Sequence, residues 1–181
     1  MPSMLTCLAP WSKAANALNH VDHVALGVAA CPKRPVIVLF SGPVVWYTLD
    51  VYLRTSLAHL AHVDGSRNSR RSRVDSYALQ LHRVQRRFSD FYKLCTSLND
   101  AVTRCGRQCM YCYQVLSVLD DTLFPHRGVY WVQLRRDQLS SWLQTVLTIA
   151  RQHPGQFEAR CEGCQRVLSL LAVFLDVQDL M

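Results

Sequence analysis

The sequence has no apolar run approaching the roughly 20 residues that a helix needs to cross a bilayer. Its opening, MPSMLTCLAPWSKAANALNH, lacks a basic segment followed by a clean apolar stretch, which argues against a secretory signal. The first 30 residues contain Lys13 but no arginine, which argues against a mitochondrial address. There is no phosphate-cradling glycine loop, no H-E-x-x-H and no G-x-S-x-G, so an enzyme is the least supported class. No internal repeat is visible. With no signal present, the eight cysteines point to reduced thiols, metal ligands or core residues rather than a disulfide framework. The expectation is an intracellular, non-enzymatic protein.

What is present suits one globular domain with a real core. The chain has 181 residues, of which 50% are hydrophobic and 18% charged. Its formal charge of +7 favours anionic partners, acidic lipid or nucleic acid, without choosing between them. Arginine greatly outnumbers lysine, which suits phosphate clamping; a solvated basic surface is the bland alternative. Arg67, Arg70, Arg71 and Arg73, mixed with Ser, Asn and Gly, read as an exposed loop. Aromatics are not interleaved with that run as stacking platforms would be, so nucleic acid is not an expected partner.

Along the chain, residues 1–34 show no convincing period and read as a poorly ordered extension, with a short helix possible around Ala14–Leu18. Val36–Phe40 is a β-prone run closed by Ser41-Gly42-Pro43. From Val44 to Arg54 the residues alternate, with Val45, Tyr47, Leu49, Val51 and Leu53 on one face and Trp46 on the other. Tyr77–Phe88 is the third strand, with an irregularity expected near His82-Arg83. Ser89 suits an N-cap, and Asp90 complements the helix dipole. An apolar stripe then runs from Phe91 to Cys105. Further helices are expected over Cys109–Leu119, Gln138–Ala150 and about Cys161–Asp176. Three strands followed by helices is an α+β order, a three-stranded antiparallel meander packed against a helical subdomain.

One stretch organises the rest: Arg86-Arg87-Phe88-Ser89-Asp90-Phe91, at a strand end that opens a helix. Two guanidinium forks side by side suit a phosphorylated ligand, because each can donate paired hydrogen bonds to one phosphate. The stretch resembles the R-R-[YF]-S-[DE]-F motif of the phox-homology (PX) domain, the phosphoinositide-binding module of sorting-nexin-type proteins. Phe124-Pro125-His126-Arg127 is similar to the family's extended proline loop. Arg135 to Leu143 is similar to its following helix, and Val173-Phe174-Leu175 to its ending. The resemblance covers about residues 36–178, and it implies a PX-like domain over 35–178 after the extension.

The resemblance implies roles residue by residue. Arg87 would grip the 3-phosphate of phosphatidylinositol 3-phosphate, and Phe88 would pack under the inositol ring, a role that needs no hydroxyl. Arg127 would meet the 1-phosphate, and Arg135, with Arg136 as the competing choice, the ring hydroxyls. Arg86 would be a structural or secondary contact. Val129, Tyr130 and Trp131 would insert into the bilayer interface; the alternative for Trp131 is a core cap. The interval from Arg127 to Arg135 is short for the family, and the preceding helical region is enlarged and cysteine-rich.

Cys109-Met110-Tyr111-Cys112 and Cys161-Glu162-Gly163-Cys164 are two C-x-x-C pairs. Cys109, Cys112, Cys161 and Cys164 could hold a structural zinc tetrahedrally if their helices pack together. Alternatively they continue the apolar stripes as small core residues. No cofactor is otherwise required, and no His or Asp is placed as a partner for cysteine catalysis.

The expected function is therefore reversible recruitment to phosphoinositide-containing membranes, peripheral on endosomal-type membranes from the cytoplasm, in membrane trafficking. The rival is a protein-interaction module on a PX scaffold with little lipid specificity, bound to a protein partner.

Overall fold

A computed structural model describes residues 10–29, 44–56, 77–105, 109–121, 124–125, 131–152 and 161–178. Within them lie five helices and a three-stranded antiparallel open sheet, an α+β fold. In chain order these are α1 (Pro10–His20), β1 (Val21–Val28), β2 (Trp46–Ser56), β3 (Tyr77–Arg87) and α2 (Phe88–Thr103). They are followed by α3 (Met110–Asp121), α4 (Val132–Arg151) and α5 (Glu162–Leu175). The expected Val36–Phe40 strand and the Arg67–Arg73 loop lie outside the described residues.

The sheet order is β1-β2-β3, so β2 is central. Its alternation does what the sequence implies: Tyr47, Leu49 and Val51 are fully buried, while Trp46 stays 39% exposed on the other face. The β2–β3 ladder runs without a break from Trp46 opposite Arg87 to Ser56 opposite Tyr77, so the irregularity expected at His82-Arg83 is absent. A two-pronged pair instead crosses the rung there, Arg83 Nε and Nη2 donating to Asp50 at 2.7 and 3.2 Å.

Residues 10–28, expected to belong to a poorly ordered extension, are folded as α1, which contains the short helix read around Ala14–Leu18, and β1. The reason their full extent escapes notice is physical. The buried stripe of α1 is Ala14, Ala17 and Leu18, with Trp11 beside it, so alanine supplies most of an apolar face that pattern reading seeks in larger residues. Pro10 stands at the first helical position, where its missing N–H costs no hydrogen bond. In β1 a register shift between Val21 and His23 inserts an extra residue, so Val21 and Val24 both face the core despite odd spacing.

β1 is an edge strand, and α4 covers it. Gln144 Nε2 donates to the Val24 carbonyl at 2.7 Å, and Arg151 Nη1 donates to the Val21 and Asp22 carbonyls at 3.0 and 2.9 Å. α4 starts at Val132, six residues before the expected Gln138, because its first turns carry no buried apolar stripe to betray them. α5 packs against α1 and α2. Aromatic rings join the layers: Phe91 meets Tyr47 edge-on at 5.8 Å and Phe174 at 4.9 Å.

α5 ends on Asp176 in the left-handed region, φ 57°, with Val177 N–H returning to the Ala172 carbonyl at 3.0 Å. At its other end Gly163 approaches α2 and α3. A Cβ there would lie 2.8 Å from Cys112 Sγ and 2.9 Å from the Ala101 carbonyl oxygen, closer than side chains tolerate. Gly163→Ala is therefore expected to cost about 1–3 kcal/mol through overpacking. A fall in the urea midpoint at unchanged slope would show this, and an unchanged midpoint would show that α5 does not sit so close.

Candidate functional site

The chain turns from strand to helix between Arg87 and Phe88, two residues before the expected cap at Ser89. Arg87 is the extended residue ahead of the helix, and its backbone N–H donates to Asp90 Oδ2 at 2.8 Å. That contact satisfies a group the strand leaves open and places a carboxylate at the positive end of α2.

Strand alternation sends the two arginines to opposite faces. Arg86 points inward and acts on α5: its Nε donates to the Phe174 carbonyl at 3.0 Å and its Nη2 to Val173 at 3.3 Å. These are carbonyls of the last helical turn, where the helix's own ladder runs out, and Val173 also accepts from the Asp176 N–H at 3.1 Å. Its guanidinium also lies 5.5 Å over the Phe174 ring. Arg87 points outward and is exposed, its guanidinium 5.6 Å from the Trp46 ring centroid. Among the described residues it has no ion pair.

Phe88 turns its ring towards α4. Arg135, in the first turn of that helix, places its guanidinium 5.1 Å over the Phe88 ring. Phe88 also meets Phe124 at 5.9 Å, and Phe124 stands edge-on to Trp142 at 5.2 Å. Arg135 further influences the buried Tyr47 hydroxyl: burial pushes that hydroxyl up, and the neighbouring guanidinium partly opposes the shift. Arg136 turns aside to Asp137 at 2.6 Å, which leaves Arg135 as the arginine that meets Phe88.

Three elements thus bring Arg87, Phe88 and Arg135 to one end of the sheet. Arg127, Val129 and Tyr130 lie outside the described residues. Trp131 is 76% exposed at the start of α4, so it does not cap the core; Leu134, one turn on, is 51% exposed. Leu134 and Trp46 were missed as neighbours of the site. The only signal for Trp46 was its outward place in the alternation, and its opposition to Arg87 depends on register.

The cysteines form a second cluster, with one change of membership. Cys105, Cys109, Cys112 and Cys161 bring their sulfurs within 4.8 Å of one another, compatible with metal binding. Cys105 takes the place expected for Cys164, which is buried in the core. The spacing misled because Cys105 ends the α2 stripe, and it belongs to no C-x-x-C. Cys105 and Cys161 are 2.9 Å apart, Cys112 and Cys161 3.5 Å. The hydrogen bond with Cys161, then burial, pushes the Cys105 thiol up to about 11. Burial pushes Cys112 up. Burial also raises Cys161, but hydrogen bonds from Cys105, the Cys164 backbone, Cys112 and Cys109 outweigh it, and its net shift is down.

No helix of the described residues is long and apolar enough to cross a membrane. Compared with protein-family models, curated proteins and solved structures, the chain matches none.

The two arginines should separate in stability. Arg86→Ala removes charged hydrogen bonds to α5 and is expected to cost about 1–2 kcal/mol. Arg87→Ala removes an exposed ring contact worth less than about 1 kcal/mol. Denaturant curves of the two variants, with equal losses or the reverse order, would overturn this division.

Proposed function

We propose that the chain is a phosphoinositide-binding domain for membrane recruitment, with phosphatidylinositol 3-phosphate as the expected head group. The observation that carries this reading is the meeting of Arg135 with the Phe88 ring beside the exposed Arg87, which makes no ion pair among the described residues. An aromatic face that carries one guanidinium group, next in the chain to a second and exposed one, suits a ring-shaped ligand that bears phosphate and hydroxyl groups. Arg87 takes the phosphate, Phe88 underlies the inositol ring and Arg135 takes ring hydroxyls. No reaction is part of this reading. Arg127, placed by the sequence resemblance alone, adds a second basic contact.

The exposed Trp131 and Leu134 favour insertion beside the head group, Trp131 having one apolar and one wet edge. Nonspecific attraction adds to this, roughly 1 kcal/mol for each basic side chain near an anionic leaflet. The endosomal and cytoplasmic setting follows from the head group and is part of the same proposal.

The rival, a protein-interaction module with little lipid specificity, is favoured by one feature. An open apolar groove of about 430 Å³ lies between α1 and α5, lined by Trp11, Leu170 and Val173 among others. For the thiol cluster the reading is a structural zinc ion, since four thiols can fill a tetrahedral shell, which suits a closed site and not a catalytic one.

Sedimentation with liposomes of matched net charge tests the function. Liposomes carrying phosphatidylinositol 3-phosphate should bind at least about tenfold better than those with only phosphatidylserine, and Arg87→Ala or Arg135→Ala should abolish the preference. Equal binding to every anionic liposome, unchanged in Arg87→Ala, would sink the lipid reading and turn attention to the groove. Trp131→Ala should weaken binding to all these liposomes by about fivefold or more while leaving capture of the soluble head group unchanged. Undiminished liposome affinity in a folded variant would remove Trp131 from the membrane contact.

A further inference from the structure

The thiol cluster carries an inference that rests on the structural-zinc reading and extends it to the ligands and their charge. We propose that Cys105, Cys109, Cys112 and Cys161 form a four-thiolate zinc site, neutralised by Arg104, Arg166 and the start of α5. Cys164 stands outside the coordination shell.

The donor set comes first. All four sulfurs lie within 4.8 Å of one another, and among the described residues no other donor belongs to the group. Zinc–sulfur bonds of about 2.3 Å in a tetrahedron put sulfurs about 3.8 Å apart. The separations of 2.9 and 3.5 Å are tighter than that and the 4.8 Å limit is looser, so shifts of about an ångström bring the thiols to ligand positions. Four protein ligands close the shell and leave no position for a reacting water, which makes the site structural.

The ligands come from places that need tying. Cys105 follows the end of α2, Cys109 precedes α3, Cys112 lies in its first turn, and Cys161 precedes α5. An ion held by all four clamps the α2–α3 connection to the start of α5. Gly163 allows the approach, because any side chain there would strike Cys112 Sγ.

Charge is the second, independent observation. Zinc with four thiolates carries a net charge of −2, and a partly buried anion needs compensation. A cavity of about 170 Å³ beside the cluster is lined by Cys105, Cys161, Arg104, Arg166 and Glu162 among others. Glu162 approaches Arg166 at 3.9 Å, so Arg104 is the cation of the pair that makes no ion pair among the described residues. The first turn of α5, a helix of 14 residues, adds its dipole and the Cys164 backbone N–H to the Cys161 sulfur.

Elemental analysis and cobalt(II) substitution of the purified full chain test the proposal. Wild type should hold one zinc per chain, and its cobalt form should show a tetrahedral spectrum with the sulfur-to-metal charge-transfer intensity of four thiolates. Cys105→Ala should lose the ion or bind it more than tenfold more weakly, whereas Cys164→Ala should keep one equivalent and the same spectrum. Arg104→Ala should weaken zinc severalfold with the spectrum unchanged. A wild-type cobalt spectrum of three thiolates and one other donor, or loss of metal in Cys164→Ala with retention in Cys105→Ala, would overturn this ligand set while leaving a structural zinc. No metal in wild type, with all thiols free or with Cys105 and Cys161 joined in a disulfide, would overturn both. Because the spectrum of wild type counts the thiolates, the decision stands even if a variant fails to fold.

Discussion

The last rung of the β2–β3 ladder, Trp46 opposite Arg87, is the constraint on which both sites depend. Successive strand residues point to opposite faces, so this register sends Arg87 outward and Arg86 inward. A slip of one residue would exchange them and turn every side chain of β3 over. The cost of such a slip is high, because with β2 held by the buried Tyr47, Leu49 and Val51 it would turn Val84 out of the core and point Arg83 and Arg87 into it. The hydrophobic stripe of β2 therefore decides which arginine meets solvent and which one holds the fold.

The inward arginine connects the sheet to α5. Arg86 takes the carbonyls of the last turn of that helix, and Cys161 stands just before its first turn. A 14-residue helix is roughly 21 Å long, so α5 spans the distance between the strand end and the thiol cluster. Its buried face, including Val167, Leu168, Leu171 and Leu175, fills the space against α1 and α2. Burial of such side chains contributes about 1.5–3 kcal/mol each, so the four together outweigh the Arg86 contact at the helix end. The polar ends set the helix's position and the apolar face supplies most of its stability.

Much of this was legible. The period of two in β2 and the helical stripes beginning at Phe91, Leu139 and Cys164 lie where their residues imply, and the strand-to-helix turn lies two residues before the cap that Ser89 suggests. What was not legible has local causes. α1 hides its stripe in alanines, and β1 hides its alternation behind a bulge, so the first folded elements read as an extension. The first two turns of α4 bury no side chain fully and carry no pattern. Cys105 was invisible as a cluster member because its neighbours in space come from sequence distances that no motif spans. Arg135 was distinguishable from Arg136 only through the Asp137 contact that turns Arg136 away.

The arrangement at the strand end also bears on how affinity divides in the proposed lipid reading. Arg87 is exposed, and a pair between exposed charges is worth only about 0–1 kcal/mol because water and salt screen it. Arg135 is half-buried and rests on an aromatic face, so its contribution is screened less. Burying an exposed apolar side chain such as Leu134 contributes about 1.5–3 kcal/mol. The arginines are then the source of head-group choice, and the exposed side chains at the start of α4 are the source of residence on the membrane. Such a division makes the free head group a weak ligand and the same head group in a bilayer a strong one. It fits reversible recruitment, since losing either contribution is enough to release the domain.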